Sequence, residues 1–451
     1  MTAFLYIKAG GIEMRKFFWG KTALMFIVTV AANIPLLWQM IQVEMIFKSA
    51  AAILTAAAFI YINIFPYPKE KYAGKRLRIM IGGRVLVLGS ICGTVLQTII
   101  TICFWEQLSG LGIFYGMGIN FLLMCNGLLR IFFTSKWLSV RKRLLLIFTI
   151  WIPLINLLVI LYVVRLIRFE YDFECYKASI RETRAESDMC STKYPLILVH
   201  GVGFRDFRHF NYWGRIPREL KMYGAQIYYG NQEAFGTIEY NAEDIKRKIF
   251  EVLEETGAEK VNIIAHSKGG LDSRYAISML GMDEYVATLT TICTPHRGCR
   301  FVDVLCRLPE RILRAVAKAY DNVFRKLGDR NPDFYGAFHQ FTTKSSREFN
   351  EKVIDSPKVY YQSYASVMRD CFSDVLLTIP FCMIWVLERG NDGLVTPESA
   401  KWGEYRGVVR NLYHRGISHG DMIDLKRQDY KGFDIVEFYV KLVAELKEKG
   451  Y

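Results

Sequence analysis

Histidine does not occur before residue 200, so any imidazole chemistry is confined to the C-terminal part of the chain. The 10 cysteines include no Cys-x-x-Cys pair, and the spacing of Cys293, Cys299 and Cys306 matches no zinc signature, which favours structural thiols. Their even number does not by itself establish disulfides. The C-terminal part also lacks a basic excess. Residues 1–170 hold 18 Lys+Arg against 5 Asp+Glu, and the rest hold 40 against 39, so the net charge of +14 belongs almost wholly to the first part. A nucleic-acid-binding enzyme domain therefore loses its support.

Charge of either sign is missing from five apolar stretches, 22–41, 49–67, 85–105, 111–129 and 144–164. Each is near the roughly 20 residues that a helix needs to cross a bilayer. Five in succession predict an all-α transmembrane domain over residues 1–170, rather than the buried helices of a soluble protein. The first run is longer than the 7–15 residues of a signal-peptide core, so it reads as a first spanning helix. Lys8, Arg15, Lys16 and Lys21 precede that helix, and two further basic clusters, Lys69–Arg84 and Arg130–Arg143, follow the second and fourth stretches. The positive-inside rule then puts the N-terminus in the cytoplasm and everything after about residue 165 outside, with Arg165 and Arg168 as the conflicting charges. A transporter reading lacks its usual sign, because no charge lies within the spans.

From about residue 190 short apolar runs alternate with amphipathic ones. "PLILVH" (195–200), "AQIYYG" (225–230), "VNIIAH" (261–266), "ATLTTIC" (287–293) and "CMIWVLE" (382–388) read as strands of a buried parallel sheet. Between them, "NAEDIKRKIFEVLEETG" reads as a helix with Asn241 as N-cap, Ile245, Ile249, Val252 and Leu253 on one face, and Gly257 as the stop. The alternation predicts an α/β fold. Ser267 ends one strand, with Gly269 and Gly270 opening a helix, which is the context of a nucleophile elbow with Ala265 at the first small position. A serine hydroxyl needs a base and an acid to orient that base. In this fold the order is serine, acid, histidine, which leaves His296, His339, His414 and His419. His296 reads as shaping the site and His339 as structural, while Asp392 in "RGNDGLV" is the natural acid.

"YPLILVHGVGF", "YWGRIPREL", "VNIIAHSKGGLDSRY", "TTICTPHRG", "NDGLV" and "SHGDMIDL" occur in an order that resembles bacterial true lipases. The pattern is similar to the Pseudomonas and Burkholderia type, with Ala before the His-Ser pair as in Bacillus lipases. The resemblance spans roughly residues 193–445 and implies an α/β-hydrolase fold. It implies Ser267 as nucleophile, Asp392 as acid and His419 as base, with an oxyanion hole from the backbone N–H groups of Val202 and Lys268. The Lys268 ammonium is expected to point outward into solvent. The resemblance also implies a structural calcium near the histidine loop, held by Asp421 and by Asp374, with Asp370 as the alternative; Leu425 departs from the family's next ligand. Residues 302–345 lie where lipases carry mobile lid helices, and Leu305, Leu308, Ile312, Leu313, Val316 and Ala317 recur there at helical spacing. The expected architecture is thus a membrane domain (1–170), a linker (171–192) and a lipase-like domain (193–451) on the outer face of a bacterial cell membrane. The expected reaction is hydrolysis of acylglycerols or other long-chain lipid esters through an acyl-enzyme, with no organic cofactor. A phospholipase or lipid acyltransferase could use the same triad. A non-catalytic membrane sensor or scaffold is the rival from another class.

Overall fold

The computed structural model describes residues 25–30, 32–34, 36–39, 45–64, 70–184, 187–203, 211–411, 415–430 and 432–451. His209, His414 and part of the first apolar stretch lie outside the described residues. Two compact units divide the chain, Met1–Thr183 and Arg184–Tyr451.

In the first unit the apolar runs form helices α1 (Met45–Ile64), α2 (Lys75–Cys103) and α3 (Gly110–Thr134). Among the described residues, α2 and α3 are the two helices long and apolar enough to cross a membrane by length and composition. Glycines let their backbones meet. A Cβ at Gly83 would lie 2.7 Å from the Gly127 carbonyl oxygen, and one at Gly127 would lie 2.7 Å from that of Gly83. Small residues at a crossing allow such approach where lipid and helix surface are equally apolar. Leu111, Phe114, Phe121 and Phe133 of α3 remain exposed on its other faces.

The predicted span 144–164 is not one helix. Helix α4 (Val140–Phe148) ends in a turn and α5 (Pro153–Thr183) restarts at a proline. Proline has no N–H to continue a helix and its ring disfavours helical backbone in the residue before it, so the break falls there. Helix α5 then runs through the start of the predicted linker, and the contact boundary falls at 183/184. The buried Glu170 fixes its middle. Its carboxylate accepts from Arg76 Nη1 at 2.8 Å, Ser135 Oγ at 2.6 Å and the backbone N–H groups of Lys136 and Trp137 at 3.0 and 3.2 Å. That cage satisfies a charge that would otherwise be costly to bury.

The second unit is built on β1 (Leu196–Val199), α6 (Ile216–Met222), β2 (Ile227–Tyr229), α7 (Ile238–Thr256), β3 (Val261–His266), α8 (Lys268–Met279) and β4 (Val286–Ile292). It continues through α9 (Arg300–Leu305), α10 (Glu310–Lys326), α11 (Phe334–His339), α12 (Thr343–Lys352), β5 (Tyr360–Ser366), α13 (Thr378–Leu387), α14 (Pro397–Ala400), β6 (Glu404–Val409) and α15 (Ile435–Glu448). All six strands pair in parallel, in the order β2-β1-β3-β4-β5-β6. Side chains alternate between two cores. Leu196, Leu198 and Ile264 pack with Ile216, Leu220 and Tyr439 on one face, while Ile197, Val199 and Ile263 pack with Ile245, Ile249 and Ala276 on the other. Burying each large aliphatic side chain contributes about 1.5–3 kcal/mol. Gly257 stops α7 at φ +67°, as its position predicts, with its N–H donating to the Leu253 carbonyl at 2.9 Å.

Three expectations fail for physical reasons. Residues 382–387 belong to helix α13, with Glu388 as its C-cap, and not to a strand; a short, continuous apolar run does not by its periodicity separate a buried strand from a helix segment. The true strands β5, an interior strand, and β6, at the sheet edge, have the sequences "YYQSYAS" and "EYRGVV", in which interspersed polar residues leave no continuous apolar run to mark them. The α7 N-cap is Thr237, whose Oγ1 accepts the Tyr240 N–H at 3.4 Å, and Asn241 lies one turn inside the helix. In the first unit, Gly127→Val would thrust a branched side chain at the Gly83 carbonyl. A lower melting temperature in detergent is expected, at a cost of about 1–3 kcal/mol.

Candidate active site

The chain enters the sheet at β1, moves outward to β2, then returns past β1 to β3. This reversal separates the crossovers that leave the carboxyl ends of β1 and β3, and such switch points open a crevice in parallel sheets. The "HGV" and "HSKGG" stretches follow these two strands. A Cβ at Gly201 would lie 2.8 Å from Ser267 Cβ, so the β1 loop sits directly against the serine.

Ser267 has φ +53° and ψ −129°, a conformation that costs a non-glycine residue about 1–3 kcal/mol. The turn is held by its N–H donating to Ile292 O at 2.9 Å and by Thr294 Oγ1 donating to its carbonyl at 2.7 Å. Neighbouring glycines give it room. Cβ atoms at Gly269 and Gly270 would lie 2.4 Å from the His200 carbonyl oxygen and 2.2 Å from Thr294 Oγ1. Lys268 is the first residue of α8, where a backbone N–H has no intrahelical acceptor. Its amide and that of Val202 are the expected oxyanion donors.

Asp392 and His419, 27 positions apart, meet through a 2.8 Å contact between Asp392 Oδ2 and His419 Nδ1. The other carboxylate oxygen accepts N–H groups from Leu394 at 2.9 Å and Val395 at 2.8 Å, and the His419 N–H donates to Asp392 O at 2.8 Å. Acid and imidazole are therefore both fixed in orientation. The Ser267 hydroxyl makes no hydrogen bond among the described residues; catalytic contacts of this kind often tighten only when substrate binds. His266, next to the serine, packs its ring 4.4 Å from that of His419 and shares a hydrogen bond with the Tyr212 hydroxyl at 2.8 Å. Burial and then the neighbouring His419 hold it well below the ordinary histidine range, hence neutral. Burial and then the Asp392 charge push the Cys293 thiol, behind the acid, well up.

His296 is wholly buried, with its Nε2 at 3.0 Å from Thr291 Oγ1 and its ring stacked on Trp402. Burial first, and then Arg274 and Arg297, lower its pKa well below the usual range, in keeping with a residue that shapes the site without titrating. His339 caps its own helix through Tyr335 O. Two contributors went unseen in the sequence. Arg215 of "YWGRIPREL" grips Asp424 with three donors at 2.7–2.8 Å, which clamps the chain just past the histidine to the segment before α6. Arg274 is fully buried between Asp355, Asn350 and the Trp402 face. Both lie inside the quoted blocks "YWGRIPREL" and "VNIIAHSKGGLDSRY", but which acids they meet is set by the fold, so only the folded contacts reveal their roles.

Asp374 and Asp421 do flank the histidine loop, one on each side of Ser418. Asp374 Oδ2 accepts from Ser418 Oγ at 2.7 Å, and Asp421 Oδ2 accepts from the Ser418 N–H at 3.0 Å. Both carboxylates already face cations, Lys426 at 2.7 Å and Arg415 at 3.1 Å, a donor set that does not fit calcium. Asp370 accepts the Phe372 N–H within its own turn. Residues 302–345 form α9 to α11 and the start of α12. Val304, Leu308, Ile312, Val316, Tyr320 and Val323 are exposed along one side, and of the predicted stripe only Ala317 on α10 is buried. A second exposed apolar surface, Phe372, Val375, Leu376, Ile379 and Val386, surrounds α13.

Lys268 overturns the solvated reading. Its ammonium is buried and lies 2.5 Å from Asp272 Oδ1, one helical turn on, and Asn241 Nδ2 donates to Asp272 Oδ2 at 3.1 Å. Burial pushes the Asp272 carboxyl up to about 6 against the pull of that ammonium. The start of α8 faces the Glu233–Asn241 segment rather than water, which leaves the side chain no path outward. Lys268→Met should destabilise the protein by about 3–5 kcal/mol by stranding a buried carboxylate, and adding Asp272→Leu should recover most of that loss in a denaturant titration.

Residues 215–321 match the family described as serine esterase (DUF676). Triacylglycerol lipase 2 of Saccharomyces cerevisiae is 31% identical over 268 residues, covering 55% of this chain and 77% of the yeast protein. The triacylglycerol lipase of Burkholderia plantarii is 36% identical over 179 residues, covering 37% of this chain and 49% of the relative, so this match spans about half of that protein. The crystal structure of Staphylococcus hyicus lipase superposes with a TM-score of 0.44 at 17% identity, covering 57% of this chain and 97% of that one. Because it matches 77% of the yeast lipase at 31% identity, and carries the serine esterase match as well, the chain belongs to the lipase family of α/β-hydrolases and is a carboxylic ester hydrolase.

Proposed function

We propose that the second unit hydrolyses long-chain lipid esters, acylglycerols foremost, through a Ser267-His419-Asp392 triad. The observation that carries this reading is the 2.8 Å Asp392–His419 contact, with the acid's second oxygen locked by two backbone N–H groups. Asp392 keeps the proton on Nδ1, so Nε2 is free to accept the Ser267 proton as Oγ attacks the ester carbonyl. The Val202 and Lys268 amides stabilise the oxyanion, each such donor being worth about 10²–10³ in rate. Collapse of the tetrahedral intermediate expels the alcohol, protonated by His419. Water, deprotonated by the same imidazole, then releases the fatty acid from the acyl-enzyme.

The substrate class is supported by the exposed apolar stripe on α9–α10 and the apolar surface around α13, both suited to a lipid phase. Helix α10 carries Arg311, Arg314, Lys318, Arg325 and Lys326 against Glu310 and Asp321, a basic polar face that favours an anionic bilayer. In this reading residues 302–345 act as the lid, and the apolar helices of the first unit anchor the enzyme in a cell membrane with the hydrolase on the outer side. Digestion of intact cells with added protease should remove the C-terminal part, and full protection would reverse that topology. A fluorophosphonate probe should label the wild-type protein and not Ser267→Ala. Asp392→Asn should keep the fold and lower kcat for ester hydrolysis by about 10³–10⁴, as loss of the orienting acid does in other triads.

A further inference from the structure

We propose that two internal ion pairs hold the histidine loop in the role that the resemblance assigns to calcium, which makes Arg415 and Lys426 positioning residues for His419 and the enzyme indifferent to calcium. This rests on the reading of His419 as the general base. The argument starts from occupancy of the carboxylate oxygens. Asp374 Oδ2 is shared by Ser418 Oγ and Lys426 Nζ, both at 2.7 Å, while Oδ1 accepts the Leu376 N–H at 3.3 Å. Asp421 Oδ2 takes the Ser418 N–H at 3.0 Å and lies 3.1 Å from Arg415 Nη1, and Oδ1 takes Arg415 Nη2 at 3.3 Å. All four oxygens are engaged.

Calcium requires six to eight oxygen ligands and a negative cage. Here two carboxylates face one ammonium and one guanidinium, so the local formal charge is already balanced. An entering dication would meet two cations at close range, where Coulomb repulsion is large in partly buried surroundings. Among the described residues, the one group of histidine, cysteine and acidic ligands close enough to share an ion is Cys293, Asp392 and His419, and it contains neither Asp374 nor Asp421.

The geometry also shows what the pairs do. Ser418 is held by Asp374 through its hydroxyl and by Asp421 through its amide, and His419 is the next residue. Arg415 extends the clasp, donating from Nε to Ser373 O at 3.1 Å and lying 3.5 Å over the Tyr430 ring. The segment leading into α13 and the histidine loop are thereby tied together from both ends. Burial alone would raise the Asp374 carboxyl; the Lys426 ammonium and the Ser418 hydroxyl outweigh it and hold it below the usual carboxylate range.

The test uses the full chain in detergent. Its melting temperature and ester hydrolysis should be the same in EDTA and in saturating calcium chloride. Titration calorimetry with calcium should give no stoichiometric heat. A melting temperature raised by calcium, or stoichiometric binding lost in Asp374→Asn, would overturn the proposal. Lys426→Met and Arg415→Met should each lower kcat, on the order of 10²-fold for a misplaced base, with KM little changed. Lys426→Arg should restore most of the activity. Variants with unaltered kcat would also overturn it, and if a variant does not fold, the wild-type calcium titration still decides. Failure of the catalytic reading is separately visible as absent Ser267-dependent labelling, which leaves the melting and binding measurements interpretable.

Discussion

Ser267 sits at φ +53° because β3 must end and α8 must begin within one residue, and the surroundings leave almost no space for that turn. Side chains at positions 201, 269 and 270 would strike Ser267, the His200 carbonyl and Thr294 respectively. The strain of about 1–3 kcal/mol is offset by a strand buried along its whole length and by the Thr294 and Ile292 hydrogen bonds. Because the elbow cannot relax, everything else is arranged around it. The β1 loop is pressed against it, the helix beyond begins with an unpaired amide, and His419 is brought in from a segment some 150 residues later in the chain.

Much of this was legible in the chain. Four of the five predicted strands and the elbow follow from apolar runs and from the order of a few polar residues, and Asp392 from its loop, whereas the choice of His419 over His414 comes only from the family resemblance, since local patterns carry the former and not the latter. The interior ion pairs were not legible. Lys268 looks like a surface residue because lysine usually is one, and only the packing of α8 against the Glu233–Asn241 segment buries it. The family resemblance marks Asp374 and Asp421, but nothing in the sequence marks Arg415 and Lys426 as their partners, because which cation faces which carboxylate is set in three dimensions. The break at Pro153 was available in the sequence, and hydropathy alone obscured it.

The same economy recurs in both units: a buried carboxylate is given a complete set of donors and becomes a joint. Glu170 joins α5 to the residues after α3 and to the start of α2, and Asp424 joins the segment past the histidine to that before α6. Each joint links positions distant in sequence. Half-satisfied, such a group would cost several kcal/mol; fully satisfied, it fixes a single arrangement.

Helix α13 carries no charged residue, and its neighbours Phe372, Val375 and Leu376 are as exposed as Ile379 and Val386 within it. In plain buffer a surface of this kind has nothing to face except another copy of itself. The hydrolase unit prepared alone would therefore tend to self-associate, and its solubility becomes a property of the exposed apolar side chains around α13 and along α10 rather than of its core.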